Sequence, residues 1–126
     1  MRDHRKLLVW QRAHDLAIAV RRAGRTFPRS GYTSIRSQMI SAAESIVLTI
    51  VEGCGSASQR EFARFLDMSF KSSTELEEEL ELAKDYGVLQ EKQWRPLQKE
   101  LIEIRRMTCG LRARVLRDAE KDERSR

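Results

Sequence analysis

Histidine, cysteine and proline are scarce in this chain: its 126 residues contain two of each. Each shortage closes off a chemistry. Nucleophilic or general acid–base catalysis relies on a positioned pair such as Cys or Ser with His. His4 sits in a charged N-terminal segment and His14 on a helical stretch, so no catalytic residue is expected. Zinc takes about four Cys or His ligands in closely spaced pairs. Cys54, Cys109, His4 and His14 make no such pairs, and neither a metal nor a cofactor is expected. The two cysteines lie 55 positions apart, imply no disulfide framework, and read as free thiols.

Long apolar runs are missing too. The longest, Ala42 to Val51, is broken by Glu44, Ser45 and Thr49, and reaches half of the roughly 20 residues that span a bilayer. Arg2, Arg5 and Lys6 precede only Leu7 to Trp10 before Gln11 and Arg12 return, which is too short for the apolar region of a signal peptide. No membrane partner and a cytoplasmic location are the expectation. Nor is there a run of alternating β-branched or aromatic residues long enough to argue for a strand.

What is present is helical periodicity, over one domain spanning residues 1–126. The spacing predicts four helices, at about 7–24, 33–53, 59–86 and 93–117, with a frayed polar tail over 118–126. On the first, Trp10, Ala13, Ala17 and Val20 form a stripe flanked by Leu16; Thr33 is the expected N-cap of the second, which stacks Ile35, Met39, Ala42, Ile46 and Ile50. Ser58 followed by Glu61 predicts a capping box at the third, whose core stripe is Phe62, Phe65, Ser69, Ser73, Leu76, Leu80 and Ala83, and Gly87 supplies its left-handed stop. On the fourth, Trp94, Leu97, Leu101, Ile104, Thr108, Leu111 and Val115 alternate spacings of three and four, the seam of a bundle. Pro96 argues for a start near Gln93, because deeper in a helix it forfeits a backbone hydrogen bond. Both tryptophans fall on seams and read as packing residues. The expected class is all-α, an antiparallel up-down-up-down four-helix bundle.

Charge is abundant and segregated. The formal net charge is +5, yet residues 1–37 hold nine basic and two acidic side chains, residues 61–91 three and nine, and residues 92–126 eleven and six. Helices 1 and 4 are thus basic, while helix 3 carries Glu75, Glu77, Glu78, Glu79 and Glu81. Three outcomes are open: solvated faces of opposite sign, self-association of those faces into a ring, or capture of a polyanion by the basic ones. The candidate phosphate-contacting residues are Arg12, Arg21, Arg22 and Arg25 on helix 1, and Lys92, Lys99, Arg105, Arg106 and Arg112 on helix 4. Lys99, Arg105, Arg106 and Arg112 lie off the apolar stripe, so reversing their charge is expected to leave the bundle folded. No base-reading motif accompanies them. Gly53-Cys54-Gly55-Ser56 lacks the Lys-Ser/Thr of a phosphate loop and reads as a helix–helix turn. The glutamates of helix 3 lack the inward Glu-x-x-His pairs of a bundle metal site.

The run Lys6-Leu7-Leu8-Val9-Trp10-Gln11-Arg12-Ala13-His14-Asp15-Leu16-Ala17 resembles the N-terminal signature of the four helix bundle protein family, encoded by intervening sequences of bacterial 23S ribosomal RNA genes. The likeness continues through Tyr32-Thr33-Ser34, Ser41-Ala42-Ala43, Ser45-Ile46, Ile50, Glu52-Gly53, Arg60-Glu61-Phe62, Arg64-Phe65-Leu66 and Glu75-Leu76-Glu77, covering residues 6 to 116. The resemblance implies a protomer that assembles into a homopentameric, barrel-like ring with a central channel and no established catalytic activity. It also implies structural similarity to the accessory variability proteins of diversity-generating retroelements, basic pentamers that bind a reverse transcriptase and its template RNA. The partners implied are further copies of the chain, RNA or DNA, and a reverse transcriptase. Glu52, Glu75 and Glu78 are candidate oligomer or partner contacts. Where the family has Pro and Asn after the Ser-Ile of helix 2, this chain has Val47, Leu48 and Thr49.

Overall fold

The computed structural model describes residues 2–126, and among them every regular element is helical. After a 3-10 turn at His4–Lys6 come α1 (Leu8–Gly24), α2 (Thr33–Cys54), α3 (Gln59–Asp85) and α4 (Glu91–Arg124). Each helix packs on its chain neighbours and α1 packs on α4, so the four close around a single core. None is long and apolar enough to cross a membrane among the described residues.

The core faces follow the predicted periodicity, with two shifts. On α1 the buried line is Val9, Ala13, Leu16, Val20 and Ala23; Leu16 is central rather than flanking, and Trp10 and Ala17 pack at the edge. On α3 Ala63 and Leu66 are buried, while Phe65 is only half-buried. The α2 stripe of Ile35, Met39, Ala42, Ile46 and Ile50 is buried throughout. Ser69 and Ser73 on α3 bring helices close: Ser69 donates across to the Ile46 carbonyl on α2 at 3.1 Å, and Ser73 donates back to the Phe70 carbonyl on its own helix.

Helix ends explain where the boundaries fall. Ser58 accepts from the Glu61 N–H at 3.1 Å, but Glu61 does not return a bond to the Ser58 N–H, so the cap is one-sided and not the predicted box; Gly87 adopts φ +80° just past α3, a conformation costly for other residues. Thr33 is the first residue of α2 rather than its cap; Tyr32 occupies that place with φ 57°, its ring beside Tyr86 at 6.2 Å. The fourth helix departs furthest from expectation. It starts at Glu91, where Gln93 Oε1 accepts from the Gln90 N–H at 3.2 Å, so Pro96 lies inside it on the exposed side. There the Lys92 carbonyl that Pro96 cannot serve can turn to solvent.

Nor does α4 fray at residue 117. It continues to Arg124 because Val115 and Ala119 are buried, Arg2 pairs with Asp118 at 3.6 Å, and Arg60 of α3 grips Glu123 through two bonds of 2.9 and 2.8 Å. The charges of the tail looked solvated because their partners lie more than sixty positions away.

Candidate nucleic-acid interface

The nine candidate basic residues divide sharply once the helices are packed. Arg12 projects from α1 across to α4, where Nε and Nη2 donate to the two oxygens of Glu100 at 2.9 and 2.6 Å. Arg105 is committed to α3: it donates to Ser73 Oγ and the Ser73 carbonyl, both at 3.2 Å, and to Glu77 at 2.6 Å. Arg112 pairs with Asp67, also on α3. Arg106 is exposed but held by Glu103 one turn earlier at 2.6 Å, and Arg21 makes a looser 3.4 Å contact with Glu44 of α2. Arg22, Arg25, Lys92 and Lys99 are exposed.

This partition corrects one expectation. Lys99, Arg105, Arg106 and Arg112 are not interchangeable surface charges, because Arg105 and Arg112 are struts between α3 and α4. A glutamate at 105 would face Glu77 and Ser73 and push α3 away. A sequence stripe identifies the face a residue occupies, but not whether the neighbouring helix supplies a counter-charge.

The acidic face is likewise partly spent inside the molecule. Glu77 serves Arg105 and Glu81 serves Lys84 at 3.4 Å, whereas Glu75 and Glu78 are exposed. Glu79 is unusual. It lines an open cleft of about 350 Å³ between α2 and α3, with Ser45 and Ser72 nearby, and its Oε1 is buried with no hydrogen-bond partner among the described residues. Burial, followed by the like charge of Glu75, raises its pKa to about 7. Ser45 and Ser72 bond each other at 2.8 Å rather than the carboxylate. The orphan indole N–H groups of Trp10 and Trp94 are also buried without a partner. Trp10 packs against His4 and His14 at centroid distances of 5.0 and 4.9 Å, and Trp94 lies under Lys84 Nζ at 3.9 Å, so neither ring is a free stacking platform. Cys54 is buried and Cys109 exposed, both as free thiols; burial pushes the Cys54 thiol up.

Two arginines escaped the sequence reading, Arg29 in the α1–α2 loop and Arg36 on α2. They join Arg21 and Arg25 around one cleft. The signal that could have found them is the absence of any acidic residue from Leu16 to Ala43.

With the geometry in hand, comparison with known families is decisive. Residues 5–110 match the family model described as 23S rRNA-intervening sequence protein. The chain belongs to that family. A solved structure from Bacteroides thetaiotaomicron, described as a protein of unknown function from the S23 ribosomal protein family, superposes with a TM-score of 0.77 at 18% identity, covering 82% of this chain and 97% of that one. A comparison with curated proteins returned no match. The match to the 23S rRNA-intervening sequence proteins stops short of the last turns of α4, the part anchored here by Arg60 and Arg2.

Of the pair Glu52-Gly53, the glycine has a packing explanation. Gly53, expected in the helix–helix turn, lies inside α2, and Gly55 holds the C-cap position. A Cβ at residue 53 would meet Phe62 Cδ1 at 2.7 Å and Phe65 Cβ at 3.2 Å, so glycine is what lets α3 start against the end of α2. Glu52 is exposed and forms no ion pair among the described residues. At Val47-Leu48-Thr49, Val47 and Leu48 line an apolar groove of about 430 Å³ with Ile18 of α1, and Thr49 turns its hydroxyl back to the Ser45 carbonyl at 2.6 Å.

Proposed function

We propose that this 23S rRNA-intervening sequence protein is a non-enzymatic, cytoplasmic nucleic-acid-binding module that works as a homo-oligomeric ring and holds RNA through phosphate contacts. The observation that carries this reading is the set of basic side chains left over after internal pairing. Arg22, Arg25, Lys92 and Lys99 remain exposed, whereas α3 has satisfied Arg105 and Arg112. Neutralising phosphates with such residues releases counterions, which gives affinity without base reading.

The protomer in this proposal is an up-down-up-down bundle. The pairing order supports it, since Arg21 meets Glu44 while Gly24 meets Arg36, and Asp67 meets Arg112 while Glu77 meets Arg105; residue numbers rise on one helix as they fall on the next. Ring assembly is supported by the apolar groove between α1 and α2, where Ile18 is 42% and Leu48 58% exposed. Leaving such residues in water is unfavourable, and a second copy would cover them. Five protomers is the number that the family resemblance implies, with Glu52, Glu75 and Glu78 available as contacts.

The test is size-exclusion chromatography with light scattering, alone and with a short structured RNA, at low and high salt. The expected result is an oligomer that takes up RNA at low salt and releases it at high salt. A protein that ignores RNA at every salt concentration refutes the reading and makes a protein partner, such as a reverse transcriptase, the next candidate.

A further inference from the structure

Between Asp15 and Glu44 the chain has no acidic residue and five basic ones, all of them arginine: Arg21, Arg22, Arg25, Arg29 and Arg36. The fold gathers four of these, all but Arg22, around an open cleft of about 370 Å³ where α1 ends and α2 begins, with Gly24 and Phe27 as its floor. Arg36 is built into that floor. Its Nε donates to the Gly24 carbonyl at 3.0 Å and its Nη2 to the Pro28 carbonyl at 2.8 Å, and its guanidinium lies over the Phe27 ring at 5.6 Å. A Cβ on Gly24 would stand 3.2 Å from Arg36 Cγ, so the glycine leaves room for the arginine stem. No acceptor among the described residues engages Arg36 Nη1.

The other three arginines are poorly neutralised. Arg25 and Arg29 are exposed with no carboxylate in ion-pair reach among the described residues, and Arg21 has only the 3.4 Å contact to Glu44, both side chains about half exposed. Cations near a helix C-terminus are favourable in their own right, but that effect is equivalent to about half a charge and fades within the last turn. It accounts for Arg21, Arg22 and the C-cap residue Arg25. It accounts in part for Arg36, whose Nε serves the last carbonyl of α1, but not for Arg29, in the loop, nor for the convergence of all four on one cleft. Like charges converging on a cleft raise the free energy of the empty protein, and an anion relieves this. The exclusive use of arginine fits phosphate, whose oxygens match the planar fork of a guanidinium.

We propose that this cleft is a phosphate-anchoring site, in which Arg21, Arg25 and Arg29 close on one phosphate group of a bound nucleic acid above a floor fixed by Arg36. The inference deepens the nucleic-acid reading and rests on it. The phosphate can be an internal phosphodiester or a terminal monoester; the recognition chemistry is the same.

The experiment compares the full chain with R25Q/R29Q and with K92Q/K99Q, using fluorescence anisotropy on one single-stranded RNA with and without a 5′-phosphate. All four substituted positions are exposed, and circular dichroism verifies folding. The cleft variant is expected to bind roughly tenfold or more weakly than the full chain, with the slope of log K against log salt reduced by about 1.4, two contacts at about 0.7 each. A terminal monoester as occupant adds a preference for the 5′-phosphorylated RNA; a phosphodiester gives equal affinities. Binding by R25Q/R29Q equal to that of the full chain, while K92Q/K99Q is weakened, overturns the assignment and leaves the nucleic-acid reading standing. If the full chain binds no RNA, the nucleic-acid reading fails, and titration with inorganic phosphate decides the cleft alone. Arginine Nε–H resonances that move in the full chain and not in R25Q/R29Q support it, and resonances that stay still refute it.

Discussion

Replacing Gly53 with alanine should destabilise the protein, although the same change at most helical glycines stabilises. The general gain is about 1 kcal/mol, because alanine loses less backbone entropy on becoming helical. At Gly53 that gain meets a clash. The new methyl would lie 2.7 Å from Phe62 Cδ1 and 3.0 Å from Cε1, roughly 1 Å inside ordinary carbon–carbon contact. Phe62 is 3% exposed and cannot swing out, and Phe65 Cβ at 3.2 Å blocks the other direction because it moves only with its backbone. Overpacking of this kind costs about 1–3 kcal/mol. A contact as short as 2.7 Å belongs in the upper half of that range, so after the gain of about 1 kcal/mol is subtracted the net loss should be about 1–2 kcal/mol, lowering Tm by about 4–8 °C for a chain of this size. Gly110 provides the control. It lies inside α4 with nothing within 4 Å of an added Cβ, so G110A should gain about 1 kcal/mol. The assay is urea unfolding followed by circular dichroism at one fixed protomer concentration, since assembly makes midpoints concentration-dependent. Combining G53A with F62L should be less damaging than the two single effects added. Equal stabilisation by G53A and G110A would refute the argument, and with it the packing explanation of Gly53.

Other outcomes follow from individual side chains. The Glu79 pKa is raised to about 7 above its unfolded value near 4.5, so the folded state holds the proton more tightly. Stability from this source is complete below pH 4.5 and is lost as pH rises through 7. Glu79→Gln should therefore flatten stability between pH 5 and 8 and be the more stable protein at pH 8, by about 1–2 kcal/mol after allowance for solvent screening; an unchanged pH profile in urea titrations would count against it. Arg105→Lys keeps the charge but cannot span Ser73 and Glu77 together, and should cost about 1 kcal/mol in the same assay. Truncation after residue 117 should reduce helical ellipticity and lower Tm, because α4 is helical through that stretch; a free tail would leave Tm unchanged.

The four helices and most of their buried faces were legible because apolar spacing, Ser58 and Gly87 are local signals, and the fold agrees with them; the turn read at Gly53-Cys54-Gly55 begins only at Gly55, because α2 runs through to Cys54. The sequence was silent where the deciding partner is distant along the chain. Leu16 is central because α1 meets both α2 and α4, which a single helix stripe cannot reveal. The end of α4 is held by Arg60 and Arg2, and Gln93 reaches Thr26 at 3.3 Å across the bundle. The basic candidates suffered from the same limit. Nothing within residues 92–126 says that Arg105 and Arg112 face Glu77 and Asp67, and nothing near Arg12 points to Glu100. Arg36 was passed over because helical spacing assigned it no stripe, while its role comes from carbonyls at the end of the preceding helix.

Internal pairing also changes what the charge segregation means. Helix α3 is acidic and α4 basic, and a count by segment suggests a molecule with opposed faces. Yet those helices are neighbours, and Arg105–Glu77, Arg112–Asp67 and Arg60–Glu123 spend much of the contrast across their shared seam. On α1, Arg12 is spent on Glu100 of α4, and the arginines at its C-terminal end adjoin α2, which offers Glu44 near its middle and Glu52 near its far end. Cations without an ion pair remain along α4, among them Lys92, Lys99, Arg114 and Arg117, but they are interleaved with carboxylates, whereas those at the α1–α2 turn stand in a stretch with no acidic residue between Asp15 and Glu44. A ring of such protomers would repeat that turn once per subunit, all at the same height along the ring axis. Polyanion binding by a circle of discrete arginine clefts has a different geometry from binding along a continuous basic stripe: contacts recur at the protomer spacing, and an RNA long enough to reach two clefts gains avidity over one that reaches only one.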